Sequence, residues 1–292
     1  MRCKYGHKPL ECSLLIFMIV SMLLFLVLFS AALILFISSK YKWWQPAIPE
    51  SHPRILMYHM VREHISGAKF NGLRVPPAEF EKQIHWFHEK GWEFRFLSEI
   101  MQGAPVNRKT VVITFDDGYQ DNYVYALPIL KKHQAKATLF LVVDRENNDW
   151  STKKKAHHDS GELVAEPKLS DEQVRKMIDS GYVEIGGHSL SHADFSKIDL
   201  KAKRHEIEES KRILEEKFGV NVSTHAYPFG IHDQEDQRLV ESAGYIGAVT
   251  TDEGIDDSIV KNRYKLKRIK VGGKKNLAQF KLNLRTGISA LF

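Results

Sequence analysis

Val111-Val112-Ile113-Thr114-Phe115-Asp116-Asp117-Gly118 is a short, apolar, β-branched run that ends abruptly in two carboxylates and a glycine. It reads as a buried strand that delivers acids to its C-terminal end. Much of the remaining chain alternates strand-like and helix-like stretches around it. Arg54 to Val61 reads as a first strand. Pro76 and Pro77 open an amphipathic helix with Phe80, Ile84 and Phe87 on one face and Gly91 at its end. A second helical stretch carries Tyr123, Leu127 and Leu130, with Pro128 kinking it or shifting its start. Lys136 to Val143, Tyr182 to Ile185, Val222 to Tyr227 and Gly244 to Thr250 read as further strands. Between them, Ser170-Asp171-Glu172-Gln173 resembles a capping box for a helix that stops at Gly181. Leu200 to Phe218 and Gln234 to Ser242 are helical. Asp144 to Lys168, with Lys153, Lys154, Lys155, His157 and His158, reads as a solvated loop, with a substrate-facing loop rich in hydrogen-bond donors as the alternative. Repeated strand-then-helix order implies a parallel sheet with crossover helices. Periodicity does not separate an α/β barrel from an open doubly wound sheet.

Two adjacent ionised Asp side chains repel, and little nearby in the sequence offers a counter-charge. A bound cation or a shared proton would make the pair tolerable. A plain Asp-Asp-Gly turn uses the same residues. A second cluster, Gly186-Gly187-His188-Ser189-Leu190-Ser191-His192, follows the strand ending at Ile185. Imidazoles at i and i+4 fall on one side of a helical turn and can grip one metal ion. With 14 His in the chain the spacing alone is weak, and no Glu follows His188, so the metalloprotease pattern His-Glu-x-x-His is absent. Joined to an Asp of the first cluster, the pair makes a two-His, one-carboxylate set with positions left open for water and substrate, the ligand set of a hydrolytic metal site.

Thr114-Phe115-Asp116-Asp117-Gly118 and His188-Ser189-Leu190-Ser191-His192 resemble the first two motifs of the NodB-homology polysaccharide deacetylases, and Ala226-Tyr227-Pro228-Phe229-Gly230 resembles the third. The likeness runs from about Arg54 to Val271. Its opening, Ile55 to Val61, and its close, Leu266 to Val271, most resemble the branch acting on poly-β-1,6-N-acetylglucosamine of biofilm matrices. The resemblance implies an α/β fold, an irregular (β/α) barrel with fewer than eight repeats. It implies hydrolysis of N-acetyl groups on a cell-surface or matrix polysaccharide containing N-acetylglucosamine. Asp117, His188 and His192 would hold one divalent metal, Zn²⁺ first, with Co²⁺, Ni²⁺ or Fe²⁺ compatible with the same donors. Asp116 would be the base, and the backbone N–H of Phe229, after Pro228, an oxyanion donor. His59 is placed near the cleft, and Tyr58, Tyr227 and Pro228 at the substrate.

Two departures stand out. The family's third motif usually carries an Arg two residues before the Pro, where this chain has Ala226, and its last motif usually presents a His, which Leu266 to Val271 lacks. The poly-N-acetylglucosamine branch shares both. The general acid is then open among His59, His225 and His232. Deacetylation of peptidoglycan or chitin-like oligomers, a catalytically silent carbohydrate-binding relative, and a small-molecule or peptide amidase are the alternatives.

Leu14 to Ile37 is 24 residues without a charge. At about 1.5 Å per residue it makes roughly 36 Å of helix, enough to span a bilayer core. It is too long for a signal-peptide core, so a retained anchor is expected. Arg2, Lys4 and Lys8 before it favour a cytoplasmic N-terminus and an extracellular domain, single-pass in the cell membrane, with Trp43 and Trp44 at the far headgroup zone. The expected division is a tail over 1–13, a span over 14–37, a proline-marked stalk over 38–53 and one large domain over 54–292. Beyond the tail, basic residues outnumber acidic ones by only 39 to 35, with no basic stripe interleaved with aromatics, so nucleic acid is not an expected partner. Cys3 and Cys12 both precede the span, which excludes a catalytic thiol or thiolate metal site in the large domain.

Overall fold

The uncharged N-terminal run is helical. In a computed structural model, which describes residues 9–41, 44–104, 109–146, 150 and 161–288, helix α1 spans Pro9–Tyr41. Its segment Ser13–Ser39 is long and apolar enough to cross a membrane or to serve as a signal sequence. Arg2, Lys4, Lys8 and Trp43 lie outside the described residues. The chain divides into two units, Met1–Gln45 with Ala290–Phe292, and Pro46–Ser289.

The second unit carries the sheets. Its elements, in order, are β1 (Arg54–Tyr58), β2 (Met60–Val61), β3 (Arg74–Val75), α2 (Pro77–Glu89), β4 (Glu93–Phe94), α3 (Leu97–Met101), β5 (Thr110–Phe115), a π-helical turn Asn122–Ala126 leading into α4 (Leu127–Lys132), β6 (Ala137–Leu141), α5 (Glu162–Ala165), α6 (Asp171–Asp179), β7 (Val183–Gly187), α7 (Leu200–Phe218), β8 (Thr224–Ala226), α8 (Gln234–Ser242), β9 (Gly247–Glu253), β10 (Leu266–Lys270) and α9 (Leu277–Thr286). The main sheet is parallel, in the order β1-β10-β9-β8-β7-β6-β5-β4. β1 also pairs with β5, from Arg54 opposite Val111 to Tyr58 opposite Phe115. That pairing closes seven strands into an irregular barrel and decides against the open sheet. β4 joins only the first two residues of β5, ahead of β6.

Strand alternation sorts the side chains into two layers. Ile55, Val112, Phe140, Ala226, Val249 and Leu266 turn into the barrel, where α3 plugs one end with Leu97, Ile100 and Met101. Leu56, Tyr58, Ile113, Phe115, Leu139 and Ile185 turn outward under Phe80, Ile84 and Phe87 of α2 and the apolar faces of α6, α7 and α8. Thr114 and Asp116 share the parity of Val112, so Asp116 is carried on the inner side at the end of the barrel.

Local signals act as expected at most ends. Ser170 caps α6 by accepting from Gln173 N–H, with the reciprocal side-chain bond present. Gly219 ends α7 in the left-handed conformation, and Pro128 sits in the first turn of α4, after the π turn. Several boundaries differ, β8 among them, which covers only Thr224–Ala226. β1 stops at Tyr58, leaving His59 outside the strand. β6 is shorter than Lys136 to Val143. β9 starts at Gly247, because Gly244 and Tyr245 still close α8 through hydrogen bonds to Glu241 and Val240. The stretch expected to be a solvated loop also differs. Residues 147–149 and 151–160, with the Lys and His runs, lie outside the described residues, yet Arg145, Trp150, Leu163 and Glu166 are all buried and α5 packs among them.

β7 and β8 meet where side chains leave no room: a Cβ on Gly187 would lie 2.3 Å from Tyr245 Oη. Gly187→Ala is expected to cost about 1–3 kcal/mol through overpacking, read as a lowered thermal midpoint by circular dichroism, with Tyr245→Phe in the same chain recovering part of it.

Candidate active site

The strand ends converge. His59 follows β1, Asp116 and Asp117 follow β5, His188 follows β7, and Tyr227 and Phe229 follow β8. With Lys270 at the end of β10, these groups line one cleft of about 410 Å³ at the C-terminal mouth of the barrel.

Asp117, His188 and His192 meet there, each buried, with one donor atom from each within 4.8 Å of the others. Asp117 Oδ1 lies 3.3 Å from His188 Nε2 and 3.4 Å from His192 Nε2. His188 Nδ1 lies 2.7 Å from the Ala226 carbonyl, which can only accept, so this nitrogen carries a hydrogen and Nε2 is the atom turned toward Asp117. Burial would lower His188, but the facing carboxylates outweigh it and raise it, so a proton or a cation is held between Nε2 and Asp117, and the donor set fits a divalent ion. Burial pushes His192 down to about 3, keeping it neutral and able to ligate. Burial alone would raise Asp117, but the surrounding imidazoles of His188, His192 and His59 outweigh it and hold the carboxyl below its usual range.

The His pair is not on a helical turn as the spacing suggested. Residues 188–192 form a loop in which Ser189 has φ 62° and His192 has φ 60°. Four of the five described non-glycine residues with positive φ, Asp117, Ser189, His192 and Phe229, belong to this mouth, an expected concentration of strain at a working site. Ser189 Oγ accepts from His192 N–H at 3.0 Å. Glu206 of α7 takes both the N–H and the hydroxyl of Ser191, at 2.9 and 2.7 Å, and ties the loop to the helix layer. Gly118, at φ 90°, has no space for a Cβ beside Leu141 Cδ1, 2.6 Å away.

Asp116 is answered differently. Arg268, fully buried on β10, donates to both of its oxygens, at 2.6 and 2.7 Å, and also to Thr114 Oγ1 and the Thr250 carbonyl. Burial would raise this carboxyl, and the guanidinium outweighs it, so Asp116 stays ionised. The cation missing at Ala226 therefore comes from another strand. Sequence reasoning passed over Arg268, although its parity with Leu266 puts a charge on the inner face of a barrel strand.

Of the other residues expected here, Tyr227 and Phe229 line the cleft, with the Phe229 ring 4.5 Å from that of His192. Tyr58 does not. It points outward into the helix layer, is fully buried, and donates to Gln83 Oε1 at 2.7 Å, because the last residue of β1 has the parity of Leu56. Pro228 is buried and shapes the turn without lining the cleft. Among the three histidines considered as acids, only His59 lines the cleft. His225 is buried between Tyr227 and Tyr245 with neither ring nitrogen bonded, and His232 stacks on Tyr227 at 4.7 Å. Phe70, Leu73, Trp150 and Leu163 complete the apolar walls and were not foreseen. A loop read as solvated concealed the last two.

A closed parallel barrel with a buried Asp-His-His set at its mouth defines a hydrolase-type centre with room for one cation. The polysaccharide deacetylase family model matches residues 103–248, and this chain belongs to that family of hydrolases. YxkH of Bacillus subtilis strain 168, named for the same family, is 32% identical over 233 residues, covering 78% of this chain and 74% of that one. Poly-beta-1,6-N-acetyl-D-glucosamine N-deacetylase of Staphylococcus aureus is 24% identical over 217 residues, covering 67% and 70%. The crystal structure of BC0361, a polysaccharide deacetylase from Bacillus cereus, superposes with a TM-score of 0.67 at 26% identity, over 80% of this chain and 69% of that one.

Removing Arg268 strands a buried carboxylate. Arg268→Met is expected to cost about 3–5 kcal/mol at neutral pH. With the guanidinium gone, burial lifts Asp116 above its unfolded value, so the loss is largest above that raised pKa and shrinks as pH falls through it toward the depressed value of the wild type. Denaturant unfolding across pH checks this, and adding Asp116→Asn to the variant is expected to flatten the dependence.

Proposed function

We propose that this protein removes acetyl groups from N-acetylglucosamine units of a cell-surface or matrix polysaccharide, with one divalent metal held by Asp117, His188 and His192. The observation that carries the reading is the pairing of two buried carboxylates with different partners in one cleft, Asp117 facing two imidazole nitrogens and Asp116 held ionised by Arg268. Zn²⁺ suits the donors best, and Co²⁺, Ni²⁺ or Fe²⁺ suit them too.

A metal so held supplies Lewis acidity for the acetyl carbonyl and lowers the pKa of water. Asp116 takes the proton of the attacking water, and Arg268 keeps that carboxylate charged and aimed. The Phe229 N–H donates to the oxygen that gains charge as the carbonyl carbon becomes tetrahedral. His59, placed on the cleft, delivers a proton to the departing amine. Tyr227, Trp150 and Phe229 form an apolar wall beside the acetyl methyl and limit water to the reacting molecule.

For the polymer, the likeness at Ile55 to Val61 and Leu266 to Val271 and the S. aureus relative support poly-β-1,6-N-acetylglucosamine. Peptidoglycan and chitin oligomers offer the same acetamide. We further propose that the N-terminal helix is a retained single-pass anchor over 14–37, with 1–13 cytoplasmic and the catalytic domain over 54–292 outside the cell. The linker between them is short at its distal end, since the carbonyls of Ile48, Pro49 and His52 already accept from Arg54.

Asp116→Asn is expected to lower acetate release from N-acetylglucosamine oligomers by about 10²–10⁴-fold while metal, measured by elemental analysis, stays bound. Asp117→Asn is expected to lose both. Near-normal turnover in Asp116→Asn would remove the base from the scheme.

A further inference from the structure

The charges that line the cleft do not cancel. Asp116 is matched by Arg268, and Asp117 by the imidazoles and the cation they are built to hold. Two lysines remain. Lys270 is half-buried at the end of β10, two residues beyond Arg268 and on the same inner parity. Lys69, exposed in the loop before β3, lines the same cleft. Neither ammonium is hydrogen-bonded or ion-paired to another described residue. Lys275, whose charge is answered by Glu253, lies close enough to feel repulsion from Lys270.

Both lysines sit on fixed backbone. Glu162 of α5 accepts the N–H of Lys69 at 2.7 Å and of Phe70 at 3.1 Å, and is itself held by the fully buried Arg74, which reaches Glu166 as well. The loop after Lys270 packs against this wall so closely that a Cβ on Gly273 would lie 1.7 Å from the Arg74 carbonyl. Two lysines without a described side-chain partner thus rise from fixed backbone around a site that takes a neutral acetamide. Like charges gathered without a counter-ion raise the potential of a cleft and favour a ligand that brings the opposite sign.

We infer that the cleft selects an N-acetylated glycan bearing an anionic group, a carboxylate or a phosphate, close to the sugar that is hydrolysed, and that Lys270 and Lys69 read that group. This rests on the deacetylase reading above and narrows its substrate. The backbone linkage is a separate matter, since a β-1,6 polymer with acidic substituents meets the requirement as well as a muramic-type chain does.

The test uses the full-length protein in non-ionic detergent with N-acetylglucosamine tetramers, β-1,6 and β-1,4. Each is offered neutral, with one lactyl carboxylate, and with one phosphate. The expected result is a kcat/KM about ten-fold higher for an anionic tetramer, carried by KM and shrinking between about 50 and 500 mM salt. The carboxylate and phosphate arms show which anion is preferred. Lys270→Glu is expected to bring the anionic-to-neutral ratio below one, and Lys270→Arg to keep it above one. A ratio near one at low salt, or one unmoved by Lys270→Glu, overturns the inference. Calorimetric binding of the same tetramers separates the two readings. Preferential binding of the anionic tetramers without acetate release sinks the deacetylase and leaves the charge selection standing. Equal binding sinks the charge selection.

Discussion

Burying two neighbouring carboxylates at the end of one strand is costly unless each is given its own counter-charge. Here the two answers differ in kind. Asp116 receives a bidentate guanidinium from across the barrel, while Asp117 faces two imidazole nitrogens, at 3.3 and 3.4 Å. Because β5 ends at Phe115 and Asp117 turns into the left-handed region at φ 77°, one dipeptide presents two acids to two sets of partners in the same cleft. Exchange of the partners would set an arginine between the two imidazoles and leave the other carboxylate without a counter-charge.

Barrel closure makes both answers available. Arg268 reaches Asp116 because β10 and β5 both flank β1, with Leu56 opposite both Ile269 and Ile113. An open sheet would leave β1 and β5 unpaired and move the cation away from the base. His188 depends on the same geometry through the Ala226 carbonyl, which fixes its ring from the neighbouring strand β8. Positive φ at Asp117, Ser189, His192 and Phe229 indicates that the strands hold these loops in conformations the loops would not adopt alone.

Much of this was legible in the residues. The apolar run into Asp116 and Asp117, the strand into His188, and the caps at Ser170 and Gly219 use local rules, and the helices over Leu200–Phe218 and Gln234–Ser242 fall at the positions read from periodicity. Closure was not legible, because a β1–β5 pairing leaves no mark on the periodicity of either strand. The origin of the counter-charge was hidden for a related reason. A lone Arg in Leu266–Lys270 looks like a surface residue until the strand is known to have an inner face. Tyr58 failed as a substrate contact by one residue of parity: Met57 points to the cleft and Tyr58 to the helices. Trp150 and Leu163 were obscured by a polar, lysine-rich stretch whose composition says nothing about the two apolar residues the barrel mouth covers.

Whether the three donors truly share one ion is decided by anomalous diffraction at the zinc edge from crystals grown with Zn²⁺. A single peak about 2.0–2.2 Å from Asp117 Oδ1, His188 Nε2 and His192 Nε2, with Asp116 outside the coordination sphere and still paired to Arg268, is the expected result. A peak that recruits Asp116 as a ligand, or no peak among these four side chains, would contradict the division of labour between the two carboxylates.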